Sequence, residues 1–158
     1  MKLTYIVQGQ PKGIAHAVNC AKEFMGDSEF IVYLGDNLLK IGIKAIPKMM
    51  KENKADCVIS LMPVKEPQRY GIAELSEDGK KVLRCVGRPK QPKSNLAVIG
   101  VYAFNHTFFE VYPKLKPSWR NEMEITDAIS LLIDSEFKVA PHCVEGWWKD
   151  TGKSEKDC

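Results

Sequence analysis

The stretch Phe30-Ile31-Val32-Tyr33-Leu34-Gly35-Asp36-Asn37 decides the fold. Apolar residues run from Phe30 to Leu34 without a polar break and stop abruptly at Gly-Asp-Asn. A strand with one wet face alternates apolar and polar side chains. A strand without alternation is covered on both faces, as in parallel sheets between helices. Cys57-Val58-Ile59-Ser60-Leu61 repeats the pattern. Between the two, residues 42–53 put Ile43, Ile46 and Met50 on one helical face. Pro47 is tolerable there if the helix starts near Ile43, because the first N–H groups of a helix lack intrahelical partners. Upstream, residues 3–7 read as a short strand and Gly9, Pro11 and Gly13 as a loop. Ile14, Ala17, Val18, Ala21 and Phe24 then follow at helical spacing and stop at Gly26-Asp27. The order β-α-β-α-β predicts right-handed crossovers onto a mostly parallel sheet, an α/β fold.

Downstream the pattern changes. Residues 71–75 and 81–86 flank Glu77-Asp78-Gly79, an Asp-Gly hairpin signal that predicts an antiparallel insertion. After a loop with Pro89, Pro92 and Ser94 comes the apolar run from 96 to 104. Asn105 or Thr107 can cap a short helix to about residue 112. A stronger helix is expected from 125 to 135, then a strand over 138–144. Composition agrees with one globular domain: of 158 residues 44% are hydrophobic and 27% charged, which excludes disorder and collagen-like repeats. A chain of this length buries roughly 70% of its unfolded surface, enough for one core. The formal charge of +3 has no block of like sign, so neither nucleic acid nor a membrane surface is expected as partner. Cys20, Cys57, Cys85, Cys143 and Cys158 are odd in number and contain no C-x-x-C pair, which fits free thiols in a reducing compartment. With no apolar leader after Met1, the expected location is cytoplasmic.

Ligands of open α/β sheets sit beyond the carboxyl ends of the strands. Asp36 follows one apolar run, and Asp150 sits in Trp148-Lys149-Asp150-Thr151-Gly152 after another. Two such carboxylates can converge on a hard cation, and Mg²⁺ typically takes one or two carboxylates plus substrate phosphates. Taken singly, each Asp reads first as a turn residue or cap. The loop Gln8-Gly9-Gln10-Pro11-Lys12-Gly13-Ile14 joins a strand to a helix start, where amides suit phosphates; an ordinary turn has the same composition. Arg69 and Arg120 suit phosphate but also suit plain surface. His16, His106 and His142 form no triad with a nucleophile and read as structural. Trp119, Trp147 and Trp148 suit packing before base stacking.

In order, the strings go further. The segment 5–17, Leu34-Gly35-Asp36-Asn37, Arg69-Tyr70-Gly71, Pro89-Lys90 through Gly100-Val101-Tyr102, Glu124-Ile125-Thr126-Asp127 and Trp148-Lys149-Asp150-Thr151-Gly152 resemble the motifs of sugar-phosphate nucleotidyltransferases. Among these the glucose-1-phosphate thymidylyltransferases are nearest, and the likeness covers residues 3–152. The resemblance implies a Rossmann-like nucleotidyltransferase fold, with residues 1–158 as a partial domain. It implies transfer of a nucleotidyl group from dTTP to glucose 1-phosphate, giving dTDP-glucose and pyrophosphate, with Mg²⁺ neutralising phosphate charge. Carried over by position, Asp36 and Asp150 would hold the metal as the catalytic carboxylates. Gln8 would bond the pyrimidine edge, and Gly13 would let the base lie against the backbone. Leu34, Tyr70, Gly71 and Val98 would line the sugar pocket, and Arg120 would bind the sugar phosphate. UTP or another sugar 1-phosphate, and a non-catalytic binding or regulatory protein, are the alternatives; a homo-oligomer is compatible with all.

Two departures qualify the likeness. Gly87-Arg88-Pro89 stands where the family has Glu-Lys-Pro. Gly87 drops a partner for sugar hydroxyls, while Arg88 keeps a phosphate contact with different geometry. The family's Gly-rich, Arg-containing opening loop has no counterpart in these residues, and by the resemblance Met1 stands several dozen residues into the family's fold. The expectation is a fold incomplete at both ends, marginally stable, prone to associate and nearly inactive alone.

Overall fold

A computed structural model describes residues 2–40 and 42–152; Met1 and Cys158, both weighed above, lie outside the described residues. Residues 2–8 form no regular secondary structure. The strand expected over 3–7 is thus corrected. Leu3, Tyr5 and Val7 are 67%, 90% and 87% exposed. Apolar, β-branched sequence favours an extended backbone, but a strand exists only where a neighbour completes its hydrogen-bond ladder. No described strand does so here.

The helix expected after Gly13 forms as two pieces, α1 (Ile14–Cys20) and α2 (Lys22–Met25), broken at Ala21. Then come β1 (Phe30–Tyr33), β2 (Asn37–Leu39), α3 (Ala45–Asn53) and β3 (Cys57–Pro63). Pro47 lies in the first turn of α3, where its missing N–H costs nothing. The hairpin forms as expected from β4 (Gly71–Leu75) and β5 (Val82–Gly87), followed by β6 (Leu96–Phe104). Helices α4 (Thr107–Val111) and α5 (Ile125–Asp134) and strands β7 (Val139–Cys143) and β8 (Trp148–Asp150) complete the described chain.

The main sheet has the order β5-β4-β6-β3-β7, with β1 also paired to β6. Strands β1, β3 and β4 run antiparallel to β6, β5 runs antiparallel to β4, and β7 lies parallel to β3. The mixed α/β architecture is the one expected, and β1, β3, β4 and β7 all point the same way. Pairing differs from direction: β6 is inserted between them, so β3–β7 is the one parallel neighbour pair among the described strands.

Unbroken apolar runs have the expected cause. Along β3, Cys57, Ile59 and Leu61 face a cluster with Phe104, Phe108, Ile129 and Leu132, while Val58 faces Ile46, Met50, Val101 and Ala140 under α3. Both faces of the sheet centre are therefore dry. Cys57 and Cys85 sit within this core as small hydrophobes; burial raises the Cys57 thiol well above its usual value and pushes Cys85 up to about 12. Strand β1 departs from the reading that opened the sequence. Phe30 is buried, Ile31 and Val32 are half-buried and Tyr33 is exposed, so β1 is not covered on both faces along its whole length.

Candidate functional site

A cleft of about 930 Å³ opens where the β4–β5 hairpin, the start of β6, the first turns of α5 and the short β2–β8 ribbon meet. Its walls include Asp36 and Asp150, Leu34 and Val98, and Tyr70 and Gly71, together with Arg88 and Arg120. Eight residues singled out from separate strings thus share one cavity. Gln8 and Gly13 are not in its lining, although the neighbouring Ile14 is.

The two aspartates are brought together by β-pairing. Strand β2 runs antiparallel to β8 with Asn37 opposite Asp150 and Leu39 opposite Trp148. Thr151 donates from its backbone N at 2.7 Å and from Oγ1 at 2.9 Å to the Asp36 carbonyl. Asn37 Nδ2 donates to Asp36 Oδ1 at 2.7 Å, and the Gly152 N–H donates to Asp150 Oδ1 at 3.0 Å. A Cβ placed on Gly152 would fall 2.6 Å from Asp36 Oδ2 and 3.3 Å from Asp150 Oδ1. Both carboxylates therefore converge on a space that glycine alone leaves open. The donor set is hard oxygen of negative charge, which fits Mg²⁺. No group of three or more His, Cys, Asp or Glu that could hold a metal occurs among the described residues.

Asn37, which sequence reasoning passed over as part of a turn, organises this corner. It is 4% exposed. Its Oδ1 accepts the Gly100 N–H at 3.1 Å and the Trp148 indole N–H at 2.8 Å. A Cβ on Gly100 would meet Asn37 Cγ at 2.8 Å and Leu34 Cδ1 at 2.9 Å, so that glycine makes room for the amide. Trp148 in turn packs edge-on against Tyr70, ring centroids 5.8 Å apart, and the pair forms one wall. The one signal in the sequence was the neighbourhood of Asp36 and Trp148 to known strings; the contact itself joins residues far apart in the chain.

On the opposite wall Gly71 pairs with Gly87 across the hairpin. A Cβ on Gly71 would lie 2.7 Å from Thr126 Cγ2, and one on Gly87 would lie 3.1 Å from Thr126 Oγ1. Thr126 of α5 thus packs against the two bare positions, which gives Gly87 a packing reason. Arg88 adopts a left-handed backbone, φ 44°, and its N–H donates to the Tyr70 carbonyl at 3.0 Å while its side chain is exposed. Arg120 is engaged: its guanidinium donates to both Glu124 carboxylate oxygens at 2.8 and 3.0 Å and lies 3.3 Å from Glu122. Hydrogen bonding to Glu124 raises its already high pKa. Asp127, partly buried beside Glu124, has its carboxyl raised by burial first and by that charge second.

The loop before α1 is strapped to the segment before α5: Met123 N donates to the Lys12 carbonyl at 2.7 Å, and Ala15 N to the Met123 carbonyl at 3.1 Å. Gly13, at φ 93°, is required by this contact, since a Cβ would fall 2.6 Å from the Met123 carbonyl oxygen. The position a side chain would take on Gly13 is thus occupied by the Met123 backbone. Gln8 turns back over the loop, its Nε2 3.2 Å from the Gly13 carbonyl and 3.1 Å from His16 Nδ1.

Known proteins share this arrangement of chain. The family model described as nucleotidyl transferase matches residues 1–156. A low-salt glycan biosynthesis nucleotidyltransferase of Haloferax volcanii is 46% identical over 98% of this chain, and a glucose-1-phosphate thymidylyltransferase of Streptomyces griseus is 41% identical over 96%. The chain covers 43% and 42% of those two proteins, less than half of each. Among solved structures, a UDP-glucose pyrophosphorylase complexed with UDP-glucose superposes with a TM-score of 0.84 at 27% identity, over 95% of this chain and 61% of that one.

Proposed function

This chain belongs to the nucleotidyl transferase family, and we propose that it forms the sugar- and metal-binding part of an enzyme that makes nucleotide sugars. The reaction is attack by a sugar 1-phosphate oxygen on the α-phosphorus of a nucleoside triphosphate. A bond from phosphorus to the sugar phosphate forms, the bond to the β-phosphate oxygen breaks, and pyrophosphate leaves with the electron pair. The observation that carries this reading is the meeting of Asp36 and Asp150 over Gly152 in the same cleft as the apolar wall of Leu34, Val98 and Tyr70.

Each group has a task in that reaction. Asp36 and Asp150 are the residues that would hold Mg²⁺, which when bound supplies charge neutralisation at the phosphate oxygens. Leu34, Val98, Tyr70 and Trp148 seat the sugar ring and exclude water. Gly71 and Gly87 let Thr126 of α5 pack close against the hairpin wall, and Gly71 lines the sugar pocket. Arg88 reaches phosphate from the exposed rim, and Arg120 binds the sugar phosphate by trading part of its contact with Glu124. Gln8 contacts the base from outside the main cleft. dTTP with glucose 1-phosphate is the favoured pair, on the likeness to the Streptomyces griseus thymidylyltransferase. UTP is the second reading, favoured by a relative named as a UTP–glucose-1-phosphate uridylyltransferase, 32% identical over 97% of this chain.

Calorimetric titration with dTTP and with UTP, each with and without Mg²⁺, tests the assignment. Nucleotide binding strengthened by Mg²⁺ in the wild type and at least about tenfold weaker in Asp36→Asn is expected, because one of only two protein carboxylates loses its charge. Wild-type affinity retained by Asp36→Asn with Mg²⁺ present would remove the carboxylate pair from the site.

A further inference from the structure

An arginine carries its five N–H donors in a fixed plane, so the donors already in use decide what else it can hold. In Arg120, Nε donates to Glu124 Oε1 at 3.1 Å, and Nη2 donates to Oε1 and Oε2 of the same carboxylate at 2.8 and 3.0 Å. Glu122 Oε2 lies 3.3 Å from Nη2 as well. Nη1 makes no hydrogen bond among the described residues. A phosphate gripped bidentately uses one of two forks, Nε with Nη2 or Nη1 with Nη2. Both forks contain Nη2. A phosphate at either one would meet carboxylate oxygens already at that nitrogen, acceptor against acceptor.

Glu124 does not depend on Arg120 for its place. The Ser118 hydroxyl donates to Glu124 Oε1 at 2.9 Å and accepts the Arg120 backbone N–H at 3.3 Å. The turn that carries Ser118 is closed by two backbone bonds of 2.8 Å, from Asn121 N–H to the Ser118 carbonyl and from Ser118 N–H to the Glu122 carbonyl. A tether independent of the guanidinium keeps the carboxylate in position when Arg120 turns away, ready to take it back. Two carboxylates against one guanidinium also leave this part of the cleft wall net negative, which opposes an arriving anion.

We infer that Glu124 is a positioning residue that acts as an internal competitor for Arg120: it latches the guanidinium at the one nitrogen that a bidentate phosphate needs, and a sugar phosphate binds only by displacing it. This rests on the assignment of the sugar phosphate to Arg120 and adds the device that sets its affinity. The latch predicts a gain on removal. A glutamate that merely oriented Arg120, or held the start of α5, would weaken phosphate binding when removed.

The test is calorimetric titration of the 158-residue chain with glucose 1-phosphate, and with glucose as a control that lacks the phosphate. Glu124→Gln should bind glucose 1-phosphate roughly three- to tenfold more tightly, the scale of a partly exposed ion pair, and glucose as the wild type does. Glu124→Asp keeps the charge but draws the oxygens back by one methylene, and should show part of the gain. Glu122→Gln removes the same charge without a hydrogen bond and should stay within about twofold of the wild type. Equal gains in Glu122→Gln and Glu124→Gln would reduce the latch to general charge and overturn the inference, as would an unchanged or weaker affinity in Glu124→Gln. Arg120→Ala separates the two levels. It should weaken glucose 1-phosphate at least about tenfold, and adding Glu124→Gln to it should gain nothing. A gain that persists without Arg120 overturns the latch alone. An unchanged affinity in Arg120→Ala removes the phosphate assignment on which the latch rests, and a chain that binds no glucose 1-phosphate with either Glu124 or Gln at that position removes both.

Discussion

Strand β6 and residues 2–8 look alike as sequence and behave as opposites in the structure. Both are rich in β-branched and aromatic residues. In β6, every residue from Ala97 to Phe104 is buried, with β3 along one edge and β1 and β4 along the other. Residues 2–8 pair with no described strand and are for the most part exposed. The difference lies in neighbours rather than in residues. A central strand receives its hydrogen bonds and both its dry faces from the rest of the fold, whereas a segment with neither keeps its apolar side chains in water.

The contrast can be broken most forcefully at Phe104, which is fully buried against Phe30, Tyr102 and Phe108. Phe104→Ala should cost about 3–5 kcal/mol in denaturant unfolding, the usual range for a large buried aromatic. A cost below that of an exposed substitution would mean that β6 is not the centre of the core. A smaller loss is expected from Gly100→Ala, since the new methyl would press on Asn37 and Leu34; roughly 1–3 kcal/mol follows for overpacking, read from the same unfolding curves. A shift in Trp148 fluorescence should accompany it, because the amide that bonds the indole must move.

The buried side of the comparison is sharpened by pH. His142 on β7 is half-buried beside Ser60 Oγ, and burial lowers its pKa. The unfolded chain then takes up a proton at its ordinary value near 6.5 while the folded chain resists. Stability should therefore hold above about pH 6.5 and fall as pH drops below it, and His142→Gln should remove that part of the slope. The smallest effect belongs to the exposed segment: Tyr5→Ser should change stability by less than about 0.5 kcal/mol. A larger loss would show that residues 2–8 are packed in solution.

How far the sequence could be read follows the same line. β3, β6 and the β4–β5 hairpin were legible because two-sided burial and an Asp-Gly turn leave local patterns. The 3–7 segment misled because β propensity records a preference for extended backbone and not the presence of a partner. β2 and β8 escaped notice, being too short at three residues each to show any periodicity. At the site, Asp36, Tyr70 and Asp150 were legible in their strings as residues to look for, and the structure places all three in one cleft. The engagement of Arg120 by Glu124 and the amide of Asn37 between Gly100 and Trp148 were not legible, because each depends on side-chain placement that no single stretch encodes.

The ribbon that joins Asp36 to Asp150 also has a thermodynamic life of its own. The bond from Thr151 to the Asp36 carbonyl closes a loop of 115 residues, yet the pairing it belongs to is three residues long and stands apart from the main sheet. With the main sheet formed, the pairings of β1 with β6 and of β3 with β7 already close most of that loop, and a three-residue, two-stranded ribbon adds little stability by itself. Opening of this clasp is therefore a sub-global event, reached at a lower free energy than melting of the sheet. Amide exchange should register it as faster exchange at Thr151 than in β6. Any ligand that bridges the two carboxylates then acts as a latch on a joint, and its binding energy is spent first on keeping the site assembled and only afterwards on the stability of the domain.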